Sequence, residues 1–264
     1  MQKGIIVVKI GGSTLGNHDT TLEDLVELQK QDRSLVVVHG GGKVTSEWLA
    51  RMGIPTSFVK GLRVTDAESL KVVAATLGGL VNKELVVAIQ ALGGKAVGLS
   101  GCDGNLFQAS VKRPELGYVG EIVAVDPTPL NLLLNGGYMP VVAPISFGSI
   151  EGQAMLLNIN GDTAAGEIAA ALVAEKLVFL TDVDGIHDRS GKVIFRLNPA
   201  EAKNIADSGI ASGGMIPKIE ASLRALTTTQ VVHIIDGRIT HSLLDNIGGQ
   251  AQQTKSRGTT IVAE

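Results

Sequence analysis

Two lysines stand where structure alone would not put them. Lys9 ends an apolar run over 4–8 that reads as a buried parallel strand, and "IGGS" follows it. An unpaired ammonium there is costly. It either snorkels to the sheet edge or serves as a fixed cation facing an anion. Lys218 follows "GGMIP" and is expected to open a helix, where its charge opposes the helix dipole unless an anion lies between them. Asp162, in "NINGD", is expected at the N-cap of a helix over 162–174. It is there a plain cap or, if it reaches the lysines, the group that orients both.

Around these charges lie groups suited to anions. "HGGG" at 39–42 stands between an expected strand and helix, so backbone N–H groups freed by glycine meet a helix N-terminus. The bland alternative is a tight strand–helix turn. Asn158 and Asn160 offer amide donors, and Arg63, after Gly61, offers a fork suited to a carboxylate. No general base stands out. Phosphoryl transfer to a hydroxyl often uses one, whereas a carboxylate acceptor is already ionised at pH 7. The remaining difficulty is electrostatic, and lysines and backbone N–H groups around the transferring group meet it.

Rival chemistries lack their residues. The chain has no G-x-x-x-x-G-K-[ST], no G-x-G-x-x-G after a strand, no H-E-x-x-H, no kinase H-R-D/D-F-G set and no G-x-S-x-G elbow. Cys102, a single cysteine, excludes an intrachain disulfide and reads as a small filler. His39 is expected to support the glycine turn. His18, His187, His233 and His241 show no pairing pattern, and no carboxylate or histidine cluster reads as a metal site.

The elements that must position these groups alternate. Strands are expected at 4–10, 34–38, 95–99, 138–143, 153–157, 176–181, 231–235 and 258–263, with a hairpin over 106–125 and an extended stretch at 57–64. Helices are expected at 20–31, 43–53, 66–92 with a break near Gly78-Gly79, 128–135, 162–174, 199–208, 218–228 and 241–246. This pattern implies α/β with a largely parallel sheet, and the candidate loops fall at strand carboxyl ends, where such sheets bind ligands. A boundary is placed near 175, after the Ala-rich helix.

The bulk numbers agree with an α/β enzyme. The 264 residues suffice for one large domain or two modest ones, with 44% hydrophobic and 19% charged residues. A net charge of −3, no basic block and 3% aromatics argue against nucleic acid as a partner. No signal-peptide core or membrane-length apolar run is expected, which implies a cytoplasmic protein with no membrane partner.

Read in order, "VVKIGGS", "VVVHGGG", "KGLRVTD", "LVNKEL", "GLSGCDGNL", "GYVGEI", "YMPVVAPIS", "LNINGDTAAGEIA", "LTDVDGI", "GGMIPK" and "GTTI" resemble the amino acid kinase family, and within it the kinases that act on N-acetyl-L-glutamate. The resemblance implies a three-layer αβα sandwich around a mainly parallel open sheet. Residues 1–175 would bind acylglutamate and dimerise, and 176–264 would bind ATP. It implies phosphorylation of the side-chain carboxylate of N-acetyl-L-glutamate to the 5-phosphate, the second step of arginine biosynthesis. Lys9 and Lys218 would stabilise the transferring phosphoryl group, and Asp162 would hold both. Gly11, Gly12, Gly41 and Gly42 would supply N–H groups to phosphates and substrate, while Arg63 and Asn158 grip substrate carboxylates. Thr181, Asp182, Gly185, Gly214 and Met215 would surround the nucleotide, with Mg²⁺ riding mainly on phosphate oxygens and water. Three residues precede the first strand, as in arginine-insensitive homodimers of this type, whose long helix, here around 66–80, supports the interface. Sister readings are a kinase for carrier-bound aminoadipate or glutamate and a nonenzymatic amino-acid-binding regulator. Two positions depart from the family pattern: Cys102 stands where many relatives have lysine, and Gly161 where alanine is usual.

Overall fold

The first strand, β1 (Ile5–Ile10), is buried on both faces, which is why β-branched residues fill it without polar alternation. Ile6, Val8 and Ile10 join one core layer, with Leu25, Leu85 and Ile89. Val7 joins the other, with Ile168 and Ile219. The period of two therefore assigns each side chain of β1 to a layer, and Lys9 falls on the face of Val7. The computed structural model describes residues 4–11, 20–59, 61–150, 152–211, 213–247 and 258–263.

After β1 come α1 (Thr21–Lys30), β2 (Ser34–His39), α2 (Gly42–Arg51) and the two-residue strands β3 (Phe58–Val59) and β4 (Leu62–Arg63). Next are α3 (Ala67–Ala74), a π-helical stretch Ala75–Val81, α4 (Asn82–Ala91) and β5 (Ala96–Ser100). Then follow β6 (Phe107–Val111), β7 (Gly120–Val125), α5 (Thr128–Asn135), β8 (Met139–Ala143), β9 (Ile145–Ile150), β10 (Gln153–Asn158) and α6 (Gly161–Ala171). The chain continues through β11 (Lys176–Thr181), β12 (Arg196–Leu197), α7 (Pro199–Asp207), α8 (Met215–Ala225), β13 (Val231–Asp236), α9 (Ser242–Ile247) and β14 (Thr259–Val262).

One sheet runs β12-β14-β13-β11-β1-β2-β8-β5. The six strands from β13 to β5 are parallel, and β14 turns antiparallel to β13 at one edge. Helices α1, α4 and α9 contribute to the core on one face, α6, α7 and α8 on the other. This is the expected three-layer αβα sandwich around a mainly parallel sheet. All main-sheet strands after residue 175 lie on the β11 side of β1, so the sheet is continuous across that point. A smaller sheet, β10-β9-β6-β7, contains the expected 106–125 hairpin.

Several local expectations give way. The helix over 66–92 does not break at Gly78-Gly79. It widens into the π-helical stretch, which keeps it continuous from Ala67 to Ala91. By length and composition this is one helix apolar enough to cross a membrane, contrary to the expectation, although half of its most apolar window is buried inside the fold. Strands β9 and β12 add to the expected set; each is defined by its partner, β10 and β14 respectively. Asp162 is not a cap: Asn160 is, its Oδ1 accepting from the N–H groups of Asp162 and Thr163 at 2.9 and 3.0 Å. Lys218 lies one turn inside α8, which starts at Met215. His241 is paired after all, its Nδ1 2.6 Å from the buried Asp24 carboxylate, and His187 sits 2.7 Å from Asp184. His18 lies outside the described residues.

Candidate active site

Because Lys9 shares a face with Val7, its side chain runs toward α6. The Asn160 cap leaves the carboxylate of Asp162 unspent, and Lys9 Nζ stands 2.9 Å from its Oδ1. The second ammonium arrives with α8. A Cβ on Gly166 would lie 2.6 Å from the Ala221 carbonyl oxygen, so the two helices meet backbone to backbone only because residue 166 has none. Contacts at 162/218, 166/221 and 167/224 advance together along both helices, which therefore begin side by side. Lys218 Nζ thereby reaches Asp162 Oδ2 at 3.1 Å and the Gly214 carbonyl at 3.3 Å.

Each Asp162 oxygen thus holds one ammonium, and the array carries one net positive charge. Asp162 is 5% exposed and Lys9 8%. Burial pushes the Asp162 carboxyl up, but the charges and hydrogen bonds of Lys9 and Lys218 outweigh it and hold the group below its ordinary value. Among the described residues no cluster of three His, Cys, Asp or Glu fit to hold a metal ion occurs. Asp162 is engaged by both lysines, so its chemistry suits an anion facing the lysines rather than a metal between carboxylates.

Beside this array opens a cleft lined among others by Gly40, Gly41, Gly42, Arg63, Asn158 and Gly161. Gly41 has φ +154°, a backbone conformation that favours glycine, and its Cα faces Leu77 Cδ2 on the π-helical stretch. Arg63 is brought in by the β3–β4 hairpin. Its Nη2 donates to the Gly42 carbonyl (2.9 Å) and Ser46 Oγ (2.7 Å), and its guanidinium lies 4.8 Å from the Phe58 ring centre. Arg63 Nη1 is buried without a partner among the described residues, a donor open to an acceptor on the cleft wall. Asn158 Nδ2 donates to Thr65 Oγ1 (3.1 Å), which in turn donates to the Arg63 carbonyl (3.1 Å).

The other expected residues lie at the ends of β1 and β11 and at the start of α8. Gly11 donates its N–H to the Leu180 carbonyl at 3.2 Å, prolonging the β1–β11 ladder, so that N–H is already engaged within the sheet. Gly12 lies outside the described residues. Thr181 ends β11 and folds the loop, its Oγ1 exchanging hydrogen bonds with the backbone of Val183. Asp182 is exposed beside it. Gly185 packs against Thr259 and Val193, Gly214 is the N-cap of α8, and Met215 is its first residue. The structure thus gathers Lys9, Asp162 and Lys218 into one array, with Gly41, Gly42, Arg63 and Asn158 around the cleft, while Thr181, Asp182 and Gly185 form a separate loop.

Sequence reasoning missed the parts that act at second hand. Ser46, Phe58 and Thr65 hold Arg63 and Asn158, yet nothing in their local pattern marks them. Asp236 and Arg238 pair bidentately at the end of β13, beside the 181–186 loop. An "IIDG" strand ending resembles "LTDVDG" and was a usable signal.

A family model described as the amino acid kinase family matches residues 4–236. The chain belongs to the amino acid kinase family. Within this family it is 43% identical over 263 residues, 98% of this chain and 95% of the relative, to a protein of Dehalococcoides mccartyi named acetylglutamate kinase. It is 44% identical over 247 residues, 92% of this chain and 84% of the relative, to one of the same name from Cereibacter sphaeroides. Among solved structures, N-acetylglutamate synthase from Neisseria gonorrhoeae, complexed with coenzyme A and N-acetyl-glutamate, superposes with a TM-score of 0.83 at 26% identity. That match covers 99% of this chain and 60% of the synthase.

Proposed function

We propose that this chain transfers the γ-phosphoryl group of ATP to the side-chain carboxylate of N-acetyl-L-glutamate, giving N-acetyl-L-glutamyl 5-phosphate and ADP in arginine biosynthesis. The observation that carries this reading is the near-full-length likeness to proteins named acetylglutamate kinase. The site chemistry supports it. A carboxylate oxygen attacks the γ-phosphorus, a new O–P bond forms, the bond to the bridging oxygen breaks, and its electron pair leaves on ADP. No proton moves, in keeping with a site built of cations and N–H donors.

Lys9 and Lys218, aimed by Asp162, offset the charge spread over the phosphoryl oxygens. Gly41 and Gly42 present the start of α2 to the anions, and Gly12 is assigned to the same work. Arg63, through its unpartnered Nη1, and Asn158 hold the substrate carboxylates. Thr181, Asp182, Gly185, Gly214 and Met215 border the nucleotide, so that ATP lies toward 176–264 and acylglutamate toward 1–175. Mg²⁺ bound to the nucleotide supplies charge neutralisation on its phosphates. The reading includes a cytoplasmic homodimer across the long helix. A groove of exposed Trp48 and Met52 with Val72, Ala75 and Leu80 supports that interface, and light scattering after gel filtration tests it.

The deciding experiment is ATP-dependent formation of a hydroxylamine-trappable acyl phosphate. N-acetyl-L-glutamate is compared with L-glutamate and N-acetyl-aminoadipate, in wild type and Lys9→Ala. A signal with N-acetyl-L-glutamate that disappears in Lys9→Ala is expected. No signal with any free substrate refutes the reading and favours a carrier-bound substrate or a silent regulator.

A further inference from the structure

Beneath the glycine turn lies a buried polar pair that the chemistry above does not use. His39 ends β2, and the period of two puts it with Leu35 and Val37 on the α4 face, opposite the face of Lys9. Both His39 and Asn82, the first residue of α4, are fully buried. The Asn82 amide has a defined orientation. Its Oδ1 accepts from Lys83 Nζ at 3.0 Å. Its Nδ2 faces two backbone carbonyls that can only accept, Val141 at 2.8 Å and Leu99 at 3.3 Å. A Cβ at residue 98 would overlap Oδ1, so Gly98 makes room for the amide.

This orientation decides the state of the imidazole. Asn82 Nδ2, which can only donate and shares its two hydrogens among these acceptors, stands 3.2 Å from His39 Nε2, so a proton on Nε2 would find no acceptor there and Nε2 is the bare nitrogen. The other ring nitrogen, Nδ1, lies 2.7 Å from the Gly40 carbonyl, which can only accept, so Nδ1 carries the proton. Two independent contacts demand the same neutral tautomer. Burial, with Lys9 and Lys83 nearby, also holds His39 down at about 4, well away from the imidazolium.

The consequence reaches the cleft through one peptide plane. The Gly40–Gly41 bond is trans, as are all described peptide bonds, so the Gly40 carbonyl and the Gly41 N–H point in opposite directions. With the carbonyl drawn toward His39 on the α4 side, the Gly41 N–H is turned toward the face that carries Lys9. We propose that His39 is a positioning residue for phosphoryl transfer, its Nδ1–H tautomer locked by Asn82, and that the pair aims the Gly41 N–H at the anion held by Lys9 and Lys218. The inference rests on the kinase reading above, because it assigns the anion to the transferring group.

The test combines nitrogen NMR of the histidine side chains with steady-state kinetics on His39→Leu, His39→Asn and Asn82→Leu. Wild type is expected to show His39 protonated at Nδ1 and bare at Nε2. Loss of one aimed N–H donor predicts a kcat lower by roughly 10- to 100-fold in His39→Leu and Asn82→Leu, with KM changed far less. His39→Asn keeps a donor within reach of the Gly40 carbonyl and is expected to recover most of the rate. A merely structural role would lower the folded fraction but not kcat per folded molecule, and that result overturns the proposal, as does an Nε2–H tautomer in wild type. If His39→Leu does not fold, Asn82→Leu and the wild-type tautomer decide. A wild type inactive on N-acetyl-L-glutamate refutes the kinase reading alone. The Gly41 amide shift on adding MgATP, expected in wild type and absent in Asn82→Leu, then decides the inference, and equal shifts in both refute it.

Discussion

Asp162→Asn keeps the shape of the side chain and removes the one negative charge between two ammonium groups. The two nitrogens, each about 3 Å from a carboxylate oxygen, are on the order of 5 Å apart, and at an effective dielectric of about 20 their repulsion is about 3 kcal/mol. Removing one partner of a buried ion pair costs about 3–5 kcal/mol in general, because the remaining charge stays buried. The lysines are slightly exposed and recover some hydration, so a loss of about 3 kcal/mol at neutral pH is the expected size. The pH dependence has a definite sign. Asp162 is held below its ordinary 3.8 in the folded protein. Its contribution is therefore complete above that value and disappears as pH falls through the folded pKa. Urea unfolding should show a constant gap between wild type and variant from about pH 5 to about pH 8, closing below about pH 4. In the same variant the lysines lose their common aim, and kcat should fall on the order of 100-fold or more. Equal stability at pH 7 together with an unchanged kcat would refute the reasoning.

Four further outcomes are expected. Arg63→Lys loses the planar fork and the partnerless Nη1, so KM for N-acetyl-L-glutamate should rise about tenfold in a coupled ADP-release assay, with kcat little changed. Gly166→Ala places a Cβ 2.6 Å from the Ala221 carbonyl and should cost about 1–3 kcal/mol in urea unfolding, with kcat falling as Lys218 is pushed from Asp162. Gly161→Ala on the same helix is the opposite case. Its Cβ would meet the His39 carbonyl oxygen at 3.4 Å and Lys9 Cε at 3.5 Å, so a gain of about 0.5–1 kcal/mol with nearly unchanged activity is expected, read as a raised thermal midpoint. The Asp24 hydrogen bond and charge raise His241 above its ordinary 6.5, so its contribution is complete below that value and lost as pH rises through the folded pKa. His241→Gln should therefore lose more stability at about pH 6 than at about pH 9, and the reverse order would contradict the pairing.

Local composition revealed much of this architecture. The short, β-branched apolar runs at β1, β2, β11 and β13 read as buried strands, and their alternation with helical periods called for a parallel sheet. Glycine clusters followed the carboxyl ends of β1 and β2, while the misplaced lysines stood near the end of β1 and in the first turn of α8. What misled was equally local. Gly78-Gly79 reads as a helix break in isolation, yet packing of Thr76 against Thr45 (2.8 Å) and of Leu77 over Gly41 accompanies a continuous helix with a π-helical stretch. Asp162 and Asn160 are both plausible caps by residue type, and only the realised backbone shows Asn160 in that role.

Sequence spacing therefore showed which residues carry charge and where strands end. It was silent on pairing across distance. Lys9 and Lys218 are separated by more than two hundred residues and meet through Asp162 because Gly166 lets two helix backbones touch. The tautomer of His39 depends on an amide on α4 whose orientation is set by carbonyls of two further strands. Periodicity is a property of neighbours along the chain, and it decides faces. Hydrogen-bond direction and ion pairing are properties of neighbours in space, and only the packed layers supply those.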